Sequence, residues 1–296
     1  MAGDVRRLVR RGGPSGPNAE VAGLDALDTP LVRTVSPLHR TWSATWPKLL
    51  ALAIVLGGWE LVVMTGWRPE YVLPGPGEVL ARLWSDLQTV TLWQAVAITL
   101  RRGVWGFGIA IAIGVVVGAL VSRFAILRAA VGSLITGLQT MPSIAWFPLA
   151  ILLFKLSEEA ITFVVVLGAA PSIANGLIHG IDHIPPVLRR AGRVLGATGF
   201  DEYRHVVMPA AMPSFVAGLK SGWAFAWRSL MAGELIVVIA YQASLGQLLQ
   251  VNRELSDAAG LLAVMLVILI IGILLDSIVF GQLEKRIRAK RGLLAT

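Results

Sequence analysis

Apolar stretches long enough to cross a bilayer recur six times along this chain, and no other feature restricts its fold as severely. They run over residues 48–67, 104–121, from about Ile126 onward, 160–178, 214–240 and 259–280. A helix of about 20 apolar residues spans the hydrocarbon core. With no water there to satisfy the backbone, only helices and closed barrels can cross, and stretches of this length call for helices. The third stretch is interrupted around Pro142 and Pro148, where a helix must bend or break. Trp46 and Trp67 bracket the first as interface anchors. Charged residues make up 15% of the 296 residues, against about 25% in a soluble domain. The expectation is an all-α membrane protein with six transmembrane helices.

The net charge of +8 raises nucleic acid as a partner, but its distribution favours a membrane. Arg6, Arg7, Arg10, Arg11, Arg40 and Lys48 precede the first span, and Lys285, Arg286, Arg288, Lys290 and Arg291 follow the last. This is the positive-inside pattern. Six spans place both termini in the cytoplasm, together with the loops at 123–128 and 188–213. Residues 1–45 read as a disordered cytoplasmic tail without a cleavable signal peptide. Residues 46–284 form the membrane domain, with a loop over about 180–213, and 285–296 a basic cytoplasmic tail. Cysteine is absent, which excludes disulfides and thiol chemistry. Gly114 and Gly118 have the small-xxx-small spacing of closely packed helices, within one subunit or between two.

Residues 188–213 are neither apolar nor loop-like. Arg190, Ala191 and Gly192 are followed by Gly196 and Ala197, then by Phe200 and a charged stretch, and finally by Val206, Met208 and Pro209. Small residues permit close backbone approach and Gly196 a sharp turn between two short helices. Pro209 and Pro213 mark where the loop ends and the fifth span begins. The spacing resembles the cytoplasmic EAA loop of ATP-binding-cassette (ABC) importer permeases, with Arg190 where that family has Glu and Gly192 where it has Ala. An interfacial amphipathic helix held to anionic lipid is the alternative.

The resemblance covers residues 47–284 and is most similar to the nitrate/sulfonate/taurine branch, aliphatic sulfonate permeases above all. It rests also on Leu73-Pro74-Gly75-Pro76, on Gln139-Thr140-Met141-Pro142, on Ala226-Trp227-Arg228 through Glu234, and on Ser244-Leu245-Gly246. It implies a type I ABC importer permease fold in a bacterial inner membrane, working as a homodimer. Its partners would be two copies of an ATPase subunit, an extracytoplasmic solute-binding protein and membrane lipid. The substrate implied is a small anion such as a sulfonate, taurine, nitrate or bicarbonate, with a pyrimidine vitamin precursor as the alternative. ATP and Mg would sit on the ATPase, because this chain has no Gly-x-x-x-x-Gly-Lys-Ser/Thr loop. No serine, histidine and carboxylate cluster suggests an enzyme, and no paired broken helices suggest an ion-coupled carrier.

A translocation path is expected along Gln139, Met141, Trp227, Arg228 and Glu234. Arg228 and Glu234 are ionisable groups inside an apolar span, a functional signal by default. Six residues apart, they point to different faces. Arg228 either meets a passing anion or pairs with a carboxylate elsewhere, Glu60 for instance. Arg101 and Arg102 are expected to snorkel at the end of the second span. Gln139 and Asn175 line a cavity or bond between helices. His179 and His183 lack a third ligand, so no metal is expected.

Overall fold

The computed structural model describes residues 37–239 and 242–290, and every regular element in them is helical. Helix α1 is Pro37–Met64. It starts ahead of residue 48, with proline suited to the first helical position. Residues 37–45, expected to be disordered, are helical, and residues 1–36 lie outside the described residues. The chain divides into two units, one ending within α1 at Gly58 and one beginning at Trp59.

In the second unit, Trp59 donates its indole N–H to the Pro74 carbonyl at 3.2 Å. Helix α2 (Pro76–Leu87) opens on a proline in its first turn and buries Val79. Helix α3 (Val90–Arg123) is capped by Thr89, whose hydroxyl accepts the Leu92 N–H. At 34 residues it extends well beyond the expected 104–121 and takes Arg101 and Arg102 into the helix. Helix α4 (Ala125–Thr140) ends before Pro142, a 3₁₀ turn follows over Ser143–Trp146, and α5 (Phe147–Phe154) continues at an angle of 105° to α4. Proline's missing N–H and its restraint on the preceding residue account for that break.

Helix α6 (Glu158–Asp182) is the centre of the unit and buries most of one long face. On one side it meets α3, on the other α8 (Met208–Ile236). Small residues set both approaches. A Cβ on Gly114 would lie 2.9 Å from the Ala170 carbonyl, and one on Gly118 3.0 Å from that of Ala174. The Gly114/Gly118 pair thus serves packing within one subunit. A Cβ on Gly176 would lie 2.5 Å from the Gly218 Cα, so α6 and α8 cross backbone to backbone. Ile161, Val164, Val165, Ile173, Ala226 and Leu230 fill the resulting core.

Helices α9 (Leu245–Glu254) and α10 (Ala258–Leu275) form a second core with α2 and α3 around Leu92, Val96 and Val264. After α10 the chain passes through a wider π-turn, Asp276–Phe280, into α11 (Gly281–Lys290). Among the described residues, four helices are long and apolar enough to cross a membrane, or five if the bent α4–α5 pair counts as one span. Helix α8 is 29 residues long but is diluted by Lys220, Arg228, Glu234 and its prolines. The expected count of six depends on it.

Candidate coupling segment and translocation path

Between α6 and α8 lies helix α7 (Pro186–Val194), again with proline in its first turn. Gly196 stops it. With φ of +88°, its N–H donates to the Arg193 carbonyl at 3.0 Å while the Ala197 N–H reaches back to Gly192 at 2.9 Å. This is a Schellman closure, which needs a residue in the left-handed region. A short turn at Phe200–Glu202 and a π-turn at Tyr203–Val207 lead into α8. Gly192 is buried because α7 rests on that π-turn: a Cβ there would lie 2.6 Å from Val206 Cγ2. Arg193 Nε meets Glu202 Oε2 at 3.4 Å across the two arms. Underneath, Ile184, Val207 and Ala211 are buried together.

The outer side of this segment is apolar. Val194 is 88% exposed, Leu195 86% and Phe200 77%. Arg190, Ala191 and Arg204 are exposed beside them, and Met208 and Pro209 at the start of α8 are exposed as well. Arg190 is in no ion pair among the described residues. Exposed apolar and cationic side chains thus alternate along this segment. Pro209 falls in the first turn of α8, and Pro213 sits inside that helix rather than at its start.

At the opposite end of α8, Glu234 is 1% exposed and fully engaged. Its carboxylate accepts the Thr99 hydroxyl at 2.9 Å, Arg102 Nη1 at 3.2 Å and the Gly246 N–H at 3.1 Å. Thr99 Oγ1 in turn accepts the Leu245 N–H at 3.0 Å. Arg102 Nη2 also donates to Glu158 at 3.2 Å and to Gln242 at 2.7 Å. Arg102 is thus buried and does not snorkel, whereas the Arg101 side chain is 64% exposed and meets Glu158 at its rim. A buried carboxylate and guanidinium are tolerated when every lone pair and proton is taken up. Together they tie α3, α6 and α8 to residues 242–246. A Cβ on Gly246 would run into Glu234 Cβ, so only glycine fits this approach.

Arg228 stands apart from that network. It is exposed, its Nε donates to the Ala224 carbonyl at 3.1 Å, and its guanidinium lies 4.7 Å over the Phe225 ring. Among the described residues it makes no salt bridge, with Glu60 or any other carboxylate. Ala217, Ser221, Ala224 and Arg228 follow one another at helical spacing along the exposed side of α8. Trp227 points elsewhere: it stacks on Trp223 at 6.0 Å and would meet a Cβ on Gly272 at 3.3 Å. Gln139 bonds to Ser172 and Asn175 across the α4–α6 contact at 3.3 and 3.5 Å. Met141 is exposed at the α4 break.

Two further ionisable residues, which sequence reasoning passed over, meet between this helix and the π-turn after α10. Lys220 Nζ meets Asp276 Oδ2 at 3.2 Å at a cleft of about 790 Å³ between α8 and α11. Asp276 is a lone acid in the last apolar stretch and was visible as such; its partner was not. The His179 and His183 rings lie 5.6 Å apart. Asp182 is bound to Arg128 at 2.8 Å, and no group of three ligating residues occurs among the described residues.

Comparison with known proteins agrees with this architecture. Residues 110–289 match the family of binding-protein-dependent transport system inner membrane components. A probable ABC transporter permease of Brucella melitensis is 31% identical over 228 residues, covering 77% of this chain and 90% of that one. A putative aliphatic sulfonates transport permease of Escherichia coli is 29% identical, covering 85% and 94%. A nitrate import permease of Synechococcus elongatus is 26% identical, covering 64% and 71%. Among solved structures, the inward-facing methionine ABC transporter MetNI matches with a TM-score of 0.52 at 22% identity, over 66% of this chain and 94% of that chain. The chain therefore belongs to the inner-membrane permeases of binding-protein-dependent transport systems. It has the type I ABC importer permease fold, and permeases of this family are not themselves enzymes.

Proposed function

We propose that this permease passes a small anion, a sulfonate, taurine, nitrate or bicarbonate, handed to it by an extracytoplasmic binding protein. Two copies enclose the path, and an ATPase subunit sits on the 186–207 segment of each. The observation that carries the anion reading is Arg228, an exposed cation with no carboxylate partner among the described residues, in line with Ala217, Ser221 and Ala224 on α8. An ionisable group inside a spanning helix is kept where it has work to do, and a guanidinium gives an oxyanion a charge-assisted contact. The sulfonate and nitrate permeases among its relatives support the same class.

ATP closing the ATPase dimer pulls the two 186–207 segments, and α8 moves as their continuation. Helix α6 follows because its backbone is packed onto α8 at Gly176 and Gly218. The test is uptake of radiolabelled ethanesulfonate, taurine and nitrate by the complete complex in vesicles. One of these is taken up by the wild type, Arg228→Ala lowers that uptake roughly 10-fold or more, and Arg228→Lys retains part of it. Uptake by Arg228→Ala equal to wild type removes Arg228 from the path.

A further inference from the structure

Resting on the small-anion reading, we propose a second cationic station on the path at Lys220, with Asp276 as its exchangeable counterion. The residues carrying it are two charges placed where charges are costly. Lys220 lies about 9 Å inside the expected fifth span, which begins at 214, and Asp276 about 6 Å before the end of the expected sixth at 280. Lys220 and Asp276 side chains are nonetheless 43% and 46% exposed, both at the cleft rather than sealed between helices. Half-exposed ion pairs contribute little to stability. This one is open to whatever enters the cleft.

The cleft continues the α8 face that carries Arg228. Ser214, Ala217, Ser221 and Ala224 line it on the α8 side, with Phe280 and Glu284 on the facing side, and the Ala224 carbonyl is the acceptor that holds Arg228. An anion leaving Arg228 toward the 186–207 end thus passes Ala224 and the Ser221 hydroxyl before meeting Lys220, about 12 Å further along the helix. The lysine stem is long and flexible, so its ammonium can turn from Asp276 to a passing oxyanion. Asp276 heads a π-turn, a local widening that recurs at functional sites and is rare elsewhere.

The counterion has a physical purpose. A lone ammonium in a weakly screened cleft holds an anion too firmly to release it. With Asp276 competing at 3.2 Å, the anion gains only the difference between two carboxylate-like contacts, and it leaves as the aspartate returns. Selectivity stays with the binding protein, and the path binds weakly by construction.

Lys220→Met alone strands a carboxylate, so the deciding variants are Lys220→Met/Asp276→Asn and Asp276→Asn. They are assayed as the complete complex in vesicles with whichever of ethanesulfonate, taurine and nitrate the wild type takes up. The double variant is expected to assemble, to keep ATPase stimulation by the binding protein, and to lose about 10-fold in uptake. Asp276→Asn is expected to lower KM and Vmax together, because the anion binds more tightly and leaves more slowly. Wild-type uptake by the double variant, or its failure to assemble with no charge left unpaired, assigns the pair to the fold and overturns the proposal. Asp276→Asn with unchanged KM and Vmax does the same. If the wild type takes up none of the three anions, the small-anion reading itself fails, a result distinct from any of these.

Discussion

Glu234 and Arg228 lie six positions apart on one helix and have opposite environments, because a helix turns about 100° per residue and α8 has one buried and one open side. Glu234 looks inward to Arg102 and Thr99, which are 132 and 135 positions away in the chain. No reading of local spacing reaches that far. The charge pair at this site should behave as a unit. Arg102→Met is expected to cost about 3–5 kcal/mol by stranding a buried carboxylate, and adding Glu234→Gln should recover much of that loss. Melting of the detergent-solubilised complex across the two single and one double variant measures the coupling. If the two losses simply add, the pair contributes no coupling. Gly246→Ala is expected to melt lower as well, since its methyl group meets Glu234. At this scale the sequence showed that Arg228 and Glu234 were costly. It misjudged Arg102, because the second span was begun at 104 and left the arginine outside it.

The segment between α6 and α8 is an element whose form and exposure have separate causes. Its form comes from local chemistry: prolines open α7 and α8, and Gly196 closes α7 in the left-handed region. Gly196→Ala is therefore expected to cost about 1–2 kcal/mol through φ alone, since nothing crowds its Cβ. Hydrogen exchange over 190–200 in the complex reads the loosening. The exposed face answers a different test. Leu195→Ser/Phe200→Ser removes apolar surface that supports no core, so the permease is expected to fold and melt normally while ATPase co-purification falls at least several-fold. Retention of a stoichiometric ATPase on that variant places the docking surface elsewhere. Gly192 has a further role that only packing revealed: its neighbour is Val206, fourteen positions on and folded back against it. A methyl group at position 192 would meet the Val206 side chain, so the contact favours glycine.

For the whole molecule, membrane residence, helical class and importer kinship were legible in the sequence. Apolar length and charge asymmetry depend only on the order of residues, and a bilayer imposes helices on any chain with that order. Short-range signals were equally legible, among them Pro142 as the break in the third span and Gly196 as a turn, since proline and glycine act through their own backbones. Tertiary structure alone decided which charges meet and which stay open. It drew Arg102 inward, left Arg228 to the open face, joined Lys220 to Asp276, and used Gly114 and Gly118 to pack α3 on α6. The physical reason is range. Backbone preference and hydrophobicity are summed residue by residue, but an ion pair or a glycine contact exists only once two distant helices have been brought within a few ångströms.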